Sequence, residues 1–331
     1  MSIFLLCMPV LADLAAGEQA MKSGNYAAAL KEFLPLAKQG NAVAQFNLGL
    51  MYDEGHGVHQ DYAEAVRWYR KAAEQGEATA QNNLGNMYHQ GHGVPKDFTE
   101  AVRWYRKAEQ GEASAQYNLG VAYDQGHGVP QDYAEATRWY RKAAEQGHAS
   151  AQYNLGVAYD QSQGVSRDYG EAVRWWRKAA EQGHASAQNN LGNMYARGAG
   201  VPQDYAEAVR WYRKAAEQGE AAAQFSLGNK YYVAEGVPQD YAEALRWYHR
   251  AAEQGDVSSQ YNLGVMYARG EGVPQDYVRA HMWVNLAASR AGGDVQRKYA
   301  DERDSLAGKM TAKQIAEAQR QAREWKPKMS R

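Results

Sequence analysis

Residues 44–76 read AQFNLGLMYDEGHGVHQDYAEAVRWYRKAAEQG, and this stretch decides the fold because the chain writes a version of it seven times. Its Leu-Gly pair recurs at Leu48, Leu84, Leu119, Leu155, Leu191, Leu227 and Leu263, in steps of 36, 35, 36, 36, 36 and 36 residues. A tryptophan follows each leucine by 20 residues, at Trp68, Trp104, Trp139, Trp175, Trp211, Trp247 and Trp283. A unit this small cannot bury its own apolar face, so neighbours must stack and the array is expected to act as one extended body.

Within the stretch, Ala44, Leu48 and Met51 fall on one face at helical spacing. The glycines of Gly55-His56-Gly57-Val58 supply the positive φ that ends this first helix. Asp61 stands at an N-cap position, and Tyr62, Ala65, Val66, Tyr69, Ala72 and Ala73 then form an apolar arc with Trp68 at its edge. The opposite face, Glu64, Arg67, Arg70, Lys71 and Glu74, is charged, and Gln75-Gly76 stops the second helix. In later copies a proline such as Pro95 sharpens the loop. Tandem antiparallel helix pairs predict an all-α chain, a right-handed α-solenoid or tetratricopeptide-like superhelix.

The pattern Ala-Gln-x-Asn-Leu-Gly-x-x-Tyr, Gly-x-Gly-Val and Asp-Tyr-Ala-Glu-Ala-x-Arg-Trp-Tyr-Arg-Lys-Ala-Ala-Glu-Gln-Gly resembles the Sel-one-like repeat family over residues 41–291. Ordinary tetratricopeptide units run about 34 residues and lack the Gly-x-Gly-Val loop. With 37 basic and 38 acidic residues the net charge is −1, which offers no field for nucleic acid and disfavours RNA-binding helical repeats.

Residues 13–40 read as a degenerate leading repeat, because Tyr26-Ala27-Ala28-Ala29-Leu30 lies one period before Tyr62. Residues 292–331 read as a C-terminal helical cap, with a helix near Val295–Leu306 and another from Thr311. Thr311 and Gln314 have capping-box spacing, and Ile315, Ala318, Ala322 and Trp325 are placed to pack inward. Residues 1–12 read as a signal peptide: Ile3–Leu11 is nearly all apolar and Val10-Leu11-Ala12 has cleavage-site spacing, although no Lys or Arg precedes the run. The competing reading is an apolar first helix that caps the array. The run is too short for a stable membrane anchor. Cys7 is the sole cysteine, so neither a disulfide within the chain nor a cysteine-ligated metal site can form.

Positions that differ between near-identical copies are those that stacking does not dictate. Two before each leucine stand Phe46, Asn82, Tyr117, Tyr153, Asn189, Phe225 and Tyr261; two after it, Leu50, Asn86, Val121, Val157, Asn193, Asn229 and Val265. One turn on come Asp53, His89, Asp124, Asp160, Ala196, Tyr232 and Ala268. These rows share one stripe of the first helix, away from Leu48 and Met51. In solenoids that resemble this one the stripe lines the concave groove, where Tyr, Phe, Asn and Asp suit an extended peptide or a partner helix. The alternative is that the aromatics only pack between neighbouring first helices. Asn47 and its copies are expected to satisfy backbone groups, and Gly49 and its copies to permit close helix approach.

His56, His92 and His127 recur at one loop position and read as solvated, since successive units stand about 8–10 Å apart, too far to share a metal. No metal site and no cofactor are expected. The chain lacks Gly-x-Ser-x-Gly, His-Glu-x-x-His, a phosphate-binding glycine loop and Ser-x-x-Lys, so no enzyme is expected. The reading is therefore a non-catalytic, exported scaffold, periplasmic or secreted, that binds a protein or peptide in its groove. The alternatives are an exported binder or hydrolase of a cell-wall or β-lactam-like small molecule, and a cytoplasmic adaptor. Cysteine-rich exported relatives linked to β-lactam binding carry paired cysteines that have no counterpart here. Finally, Arg106-Lys107-Ala108-Glu109-Gln110-Gly111 lacks one alanine, which predicts a local change of twist near residues 106–114 unless the loop absorbs it.

Overall fold

The computed structural model describes residues 12–328, and the segment that carries the signal-peptide reading lies outside the described residues apart from Ala12. Among the described residues the chain forms eighteen helices and no strand, an all-α repeat solenoid. They are α1 (Leu14–Lys22), α2 (Tyr26–Lys38), α3 (Ala42–Glu54), α4 (Tyr62–Glu74), α5 (Ala78–Gln90), α6 (Phe98–Ala108), α7 (Ala113–Gln125), α8 (Tyr133–Glu145) and α9 (Ala149–Gln161). There follow α10 (Tyr169–Glu181), α11 (Ala185–Arg197), α12 (Tyr205–Glu217), α13 (Ala221–Val233), α14 (Tyr241–Glu253), α15 (Val257–Arg269), α16 (Tyr277–Arg290), α17 (Gly293–Ala307) and α18 (Ala312–Glu324). Instead of one body, packing divides the described residues into two compact units, 12–158 with 162–166, and 159–161 with 167–328. Because each repeat touches only its neighbours, a solenoid contains no single core to forbid such a division.

Local chemistry sets each boundary. Asp61 Oδ1 accepts from the Ala63 and Glu64 amides at 2.9 and 3.1 Å, satisfying two of the orphan donors at the start of α4, and Asp97 and Asp132 do the same for α6 and α8. First helices end on a left-handed residue: Gly55 has φ 75° and Gly91 φ 79°. In two copies this residue is not glycine, and Ser162 and Ala234 hold φ 61°. The left-handed conformation costs a non-glycine residue about 1–2 kcal/mol, and glycine's extra backbone entropy returns about 0.5–1 of that. Ala234→Gly is therefore expected to stabilise by about 0.5–1 kcal/mol; a lower urea midpoint for the second unit would contradict it.

The second glycine of each loop has a different job. A Cβ at Gly93 would lie 2.2 Å from the Tyr62 carbonyl oxygen, and one at Gly128 2.2 Å from that of Phe98. The loop thus seats its backbone on the start of the preceding unit's second helix, and Val94 packs into that unit's core. The Leu-Gly glycine receives an aromatic ring: a Cβ at Gly49 would sit 2.6 Å from the Tyr69 ring, and at Gly85, Gly120, Gly192 and Gly228 the intruding ring is Tyr105, Tyr140, Tyr212 and Tyr248. The expected close approach is there, made by that tyrosine.

Trp68 is not at the edge of the arc. It is 5 % exposed and belongs to the core of Phe33, Leu48 and Met51, while Trp104 fills the core that Val66 and Tyr69 of the preceding repeat share with Leu84 of its own. Lys71 and Lys107 lay their ammonium groups 4.4 and 3.8 Å from these ring centroids, so the charged face covers the tryptophans.

Buried glutamines fasten the repeats. Gln45 donates to the Ala37 carbonyl of the preceding second helix at 3.0 Å and accepts from Gln75 Nε2 at 2.7 Å. Gln81, Gln152, Gln188, Gln224 and Gln260 make the same backward bond to Ala73, Ala144, Ala180, Ala216 and Ala252. Where the alanine is missing, α6 has 11 residues against 13 in α4, yet Gln116 reaches the Glu109 carbonyl at 2.6 Å and still accepts from Gln146. The turn itself is rebuilt so that the clamp survives.

At the ends, Gly17 of α1 faces the ring of buried Phe33 as Gly49 faces Tyr69. Thr311 and Gln314 form the capping box of α18, whose Ala318 and Ala322 are buried. Ile315 is half-buried, and Trp325 packs against the same core.

Candidate partner-binding face

The stripe sits where α3, α5, α7, α9, α11, α13 and α15 are neither fully covered nor free: Asn82 and Asn189 are buried and the other predicted positions are half-buried. Much of its polar chemistry is already engaged by the ring that fills the glycine notch. Tyr69 donates to Asp53 at 3.1 Å, Tyr105 to Asn86 at 2.9 Å, Tyr140 to Asp124 at 3.4 Å, Tyr212 to Asn193 at 2.7 Å and Tyr248 to Asn229 at 2.5 Å. Burial is the main cause that holds these five phenols above the ordinary tyrosine range. Burial also raises the Asp124 carboxyl, with the Tyr140 hydroxyl opposing.

A second link joins successive repeats. Asn118 donates to Asn82 at 2.9 Å and to Asn86 at 3.1 Å, and Asn262 donates to Asn229 at 3.4 Å. Asn47 alone among these bonds a backbone carbonyl, that of Val43. Copies of Asn47 were expected to serve the backbone; Asn118 and Asn262 instead tie one first helix to the one before it. In the sixth copy Ser226 replaces the asparagine, and the buried Asn189 Oδ1 opposite has no hydrogen-bond partner. Ser226→Asn is expected to supply that donor and stabilise the second unit by about 1 kcal/mol, read from its urea midpoint. No gain would show that Ser226 leaves no gap to fill.

The aromatic positions split between packing and opening. Phe46, Tyr117 and Phe225 lie 6.0, 6.0 and 6.1 Å from the Tyr69, Tyr140 and Tyr248 rings, and Tyr261 stacks on Tyr299 at 4.1 Å. His89 meets the Phe98 ring edge-on at 5.1 Å, and burial lowers its pKa, with His127 and Lys96 adding to the effect. Val121, Tyr153 and Asp160 are half-buried. Val157 lines a water-sized cleft with Asp124, Tyr140 and Asn154. The structure gathers Asn229, Tyr232, Tyr261 and Val265 around a larger cleft of about 290 Å³, closed by Tyr248, Asn262 and Arg269. At its rim Tyr232 donates to Glu271 at 3.0 Å, and Arg269 lies 3.4 Å from the same hydroxyl. Phe46 and Leu50 open onto a third, shallower depression beside α1.

The loop histidines are not simply solvated. His56, His92 and His127 stack on Tyr26, Tyr62 and Phe98 at 4.1, 4.6 and 4.2 Å, which glues each loop to the preceding second helix. Among the described residues no three His, Cys, Asp or Glu side chains converge as metal ligands.

Two histidines outside the predicted set act as caps. His148 and His184 Nδ1 accept from the Ala151 and Ala187 amides at 3.2 and 3.3 Å, a role that only the unprotonated nitrogen can fill. Burial lowers both pKa values, with Glu112 and Glu220 opposing. A folded pKa below the unfolded value of about 6.5 means that the unfolded chain takes the proton first. The caps thus contribute fully above about pH 6.5, and their contribution fades as pH falls through the lowered folded values. His148→Asn/His184→Asn, copying Asn41, is expected to flatten the loss of stability between about pH 7 and 5; an unchanged slope would assign it elsewhere.

The buried glutamine and bridging asparagine ladders escaped sequence reading, although the invariant glutamine after the first-helix alanine was their visible signal.

The comparisons agree with this architecture. A model of the Sel1 repeat matches residues 42–77, 78–111, 113–148, 149–184, 185–220, 221–256 and 257–291. A Sel1 repeat protein from Oxalobacter formigenes is similar in structure, with TM-score 0.65 and 37% identity, covering 72% of this chain and 95% of that one. A protective antigen of uropathogenic Escherichia coli strains that displays an SLR fold is 31% identical, covering 95% of this chain and 94% of its own, with TM-score 0.37. No curated protein matches significantly. Among the described residues no helix is long and apolar enough to cross a membrane. Sel1 repeat proteins are generally protein-interaction scaffolds, and their fold is typically non-enzymatic. With seven tandem matches covering most of its length, the chain belongs to the Sel1 repeat family.

Proposed function

We propose that this protein is a non-catalytic scaffold that holds a partner protein or peptide along its first-helix face, and that it does so outside the cytoplasm. The observation that carries the reading is the cleft in the second unit, where four predicted stripe residues, Asn229, Tyr232, Tyr261 and Val265, meet around one opening. Its chemistry suits a peptide: tyrosine faces and Val265 for an apolar side chain, amides of Asn229 and Asn262 for the backbone, and Arg269 at the rim. The apolar segment Ile3–Leu11 supports export.

The test uses residues that the chain itself tolerates. Ala196 and Ala268 stand at the position of Tyr232, and Asn86 and Asn193 at that of Val265, so Tyr232→Ala/Val265→Asn leaves the solenoid folded. Cross-linking and capture from envelope extract is expected to retrieve a partner with the native chain and to lose it with the double variant. Equal capture by both would sink the assignment of the face. Fractionation with the mass of the mature N-terminus tests export; a cytoplasmic chain that retains Met1 would refute it.

A further inference from the structure

The first repeat departs from its copies in one respect that stacking does not require. Val43, Phe46 and Leu50 follow one another on α3 at helical spacing, three apolar side chains on one outward line. The same line reads Thr79, Asn82, Asn86 in the next repeat and Ser186, Asn189, Asn193 in the fifth; every other repeat puts Ser, Thr or Ala at the first of these positions. Val43 is 39% exposed, and Met21 from α1 joins the three to floor an open depression. Glu18 and Glu77 stand at its rim against Lys22, and Asp53 follows Leu50 one turn further along α3. Glu77 is held there as the N-cap of α5.

We infer that this depression is a docking site for a peptide segment of a partner protein that presents an apolar side chain flanked by lysine or arginine. The apolar anchor follows from the floor: Val43 stands where the other six repeats carry Ser, Thr or Ala, and with half-buried Phe46 and Leu50 it completes a row of three large apolar side chains that no other repeat has. The basic flank follows from charge complementarity, the two rim carboxylates Glu18 and Glu77 against the one ammonium of Lys22. The site deepens the scaffold reading and rests on it, but it lies in the first unit and its residues are distinct from those of the cleft around Tyr261.

Val43→Ser/Leu50→Asn rewrites the line with residues used in the chain's own copies, so the fold is kept and only the floor changes. The probe is a synthetic twelve-residue peptide with a central Leu-x-x-Phe pair flanked by lysines, set beside a glutamate-flanked version and one with both apolar residues replaced by serine. Binding to the full chain is followed by fluorescence anisotropy and by the 13C-methyl resonance of Met21. The lysine-flanked peptide is expected to shift Met21 and to bind at least tenfold more tightly to the native chain than to the double variant. It is also expected to outbind the glutamate version by a margin that shrinks in high salt. A Met21 resonance that ignores the peptides overturns the assignment. So does one that moves on diluting the chain alone, which would give the patch to a second copy. Equal affinity for the lysine- and glutamate-flanked peptides overturns the basic flank. If capture of an envelope partner fails with Tyr232→Ala/Val265→Asn but survives Val43→Ser/Leu50→Asn, the scaffold reading stands and this inference falls.

Discussion

Gly93→Ala is expected to lower the stability of the first unit by about 3–5 kcal/mol, several times the loss from Gly91→Ala two residues earlier. Both glycines have positive φ, 69° and 79°, so both alanines meet the same left-handed penalty of about 1–2 kcal/mol. They differ in what a methyl group meets. At Gly91 the nearest atom is Lys96 Cβ at 3.1 Å, part of a solvent-exposed side chain that can shift. At Gly93 the nearest atoms are backbone, the Tyr62 carbonyl oxygen at 2.2 Å and the Ala63 nitrogen at 2.7 Å, in the first turn of α4. That turn is fixed by its Asp61 cap, so the loop has to lift off, withdrawing Val94 from the core and His92 from the Tyr62 ring. The comparison is read from urea midpoints together with amide exchange at Tyr62–Ala65. Equal losses at the two glycines would mean that the loop is not seated on the helix. The chain itself points the same way: the first glycine is replaced in two copies by Ser162 and Ala234, the second in none.

That contrast also shows what was legible beforehand. Helix boundaries were open to reading because their causes are local: an Asp cap, a left-handed glycine, an apolar arc at 3.6-residue spacing. The notch at Gly49 was legible as a close approach, yet the identity of the intruder, Tyr69, needed the fold. Harder still were contacts made between copies one period apart. Period tells which residues are equivalent, not whether a side chain faces its own repeat or the neighbouring one. So by sequence Trp68 reads as an edge residue, yet it fills the core shared by α2 and α3; His56 reads as solvated, yet it stacks on Tyr26; and Asn118 reads as a backbone partner, yet it bridges to Asn82. The stripe shows the same limit. Its two readings, groove lining and packing, were posed as alternatives. Residue by residue the structure divides them: Asn82 and Asn189 are interior, Asp53 and Asn86 are bonded to tyrosines, and Leu50, Tyr232 and Val265 border open space.

Trp104→Ala is expected to cost about 3–5 kcal/mol and to split the unfolding of the first unit into two steps. Trp104 belongs by sequence to the second helix of its own repeat, but its ring completes the core of Ala65, Val66, Tyr69, Ala80, Leu84 and Met87. Truncation therefore opens the seam where α4 of the preceding repeat meets α5, and it also removes the ring's packing on α5 of its own repeat. In a nearest-neighbour array, cooperativity resides in such interfaces, so weakening one lets the repeats on either side melt independently. Lys107 separates this effect from charge: its ammonium lies 3.8 Å from the ring centroid, at the exposed surface, and Lys107→Ala is expected to cost only about 0.5–1 kcal/mol with a single transition. Phenylalanine separates it from the indole nitrogen. Nε1 of Trp104 is buried without a hydrogen-bond partner, whereas Trp175 and Trp247 donate to Glu171 and Glu243 at 3.0 and 3.1 Å. Trp104→Phe gives up part of the ring's area but also removes an unsatisfied donor that costs about 1–3 kcal/mol, so it is expected to be far milder than alanine. At Trp247 the same change breaks a bond and leaves Glu243 without that donor, so Phe there is expected to cost more than at Trp104. Denaturant unfolding followed by far-ultraviolet circular dichroism reads all four variants. A single sharp transition for Trp104→Ala, displaced but not divided, would show that the tryptophans fill space without coupling the repeats.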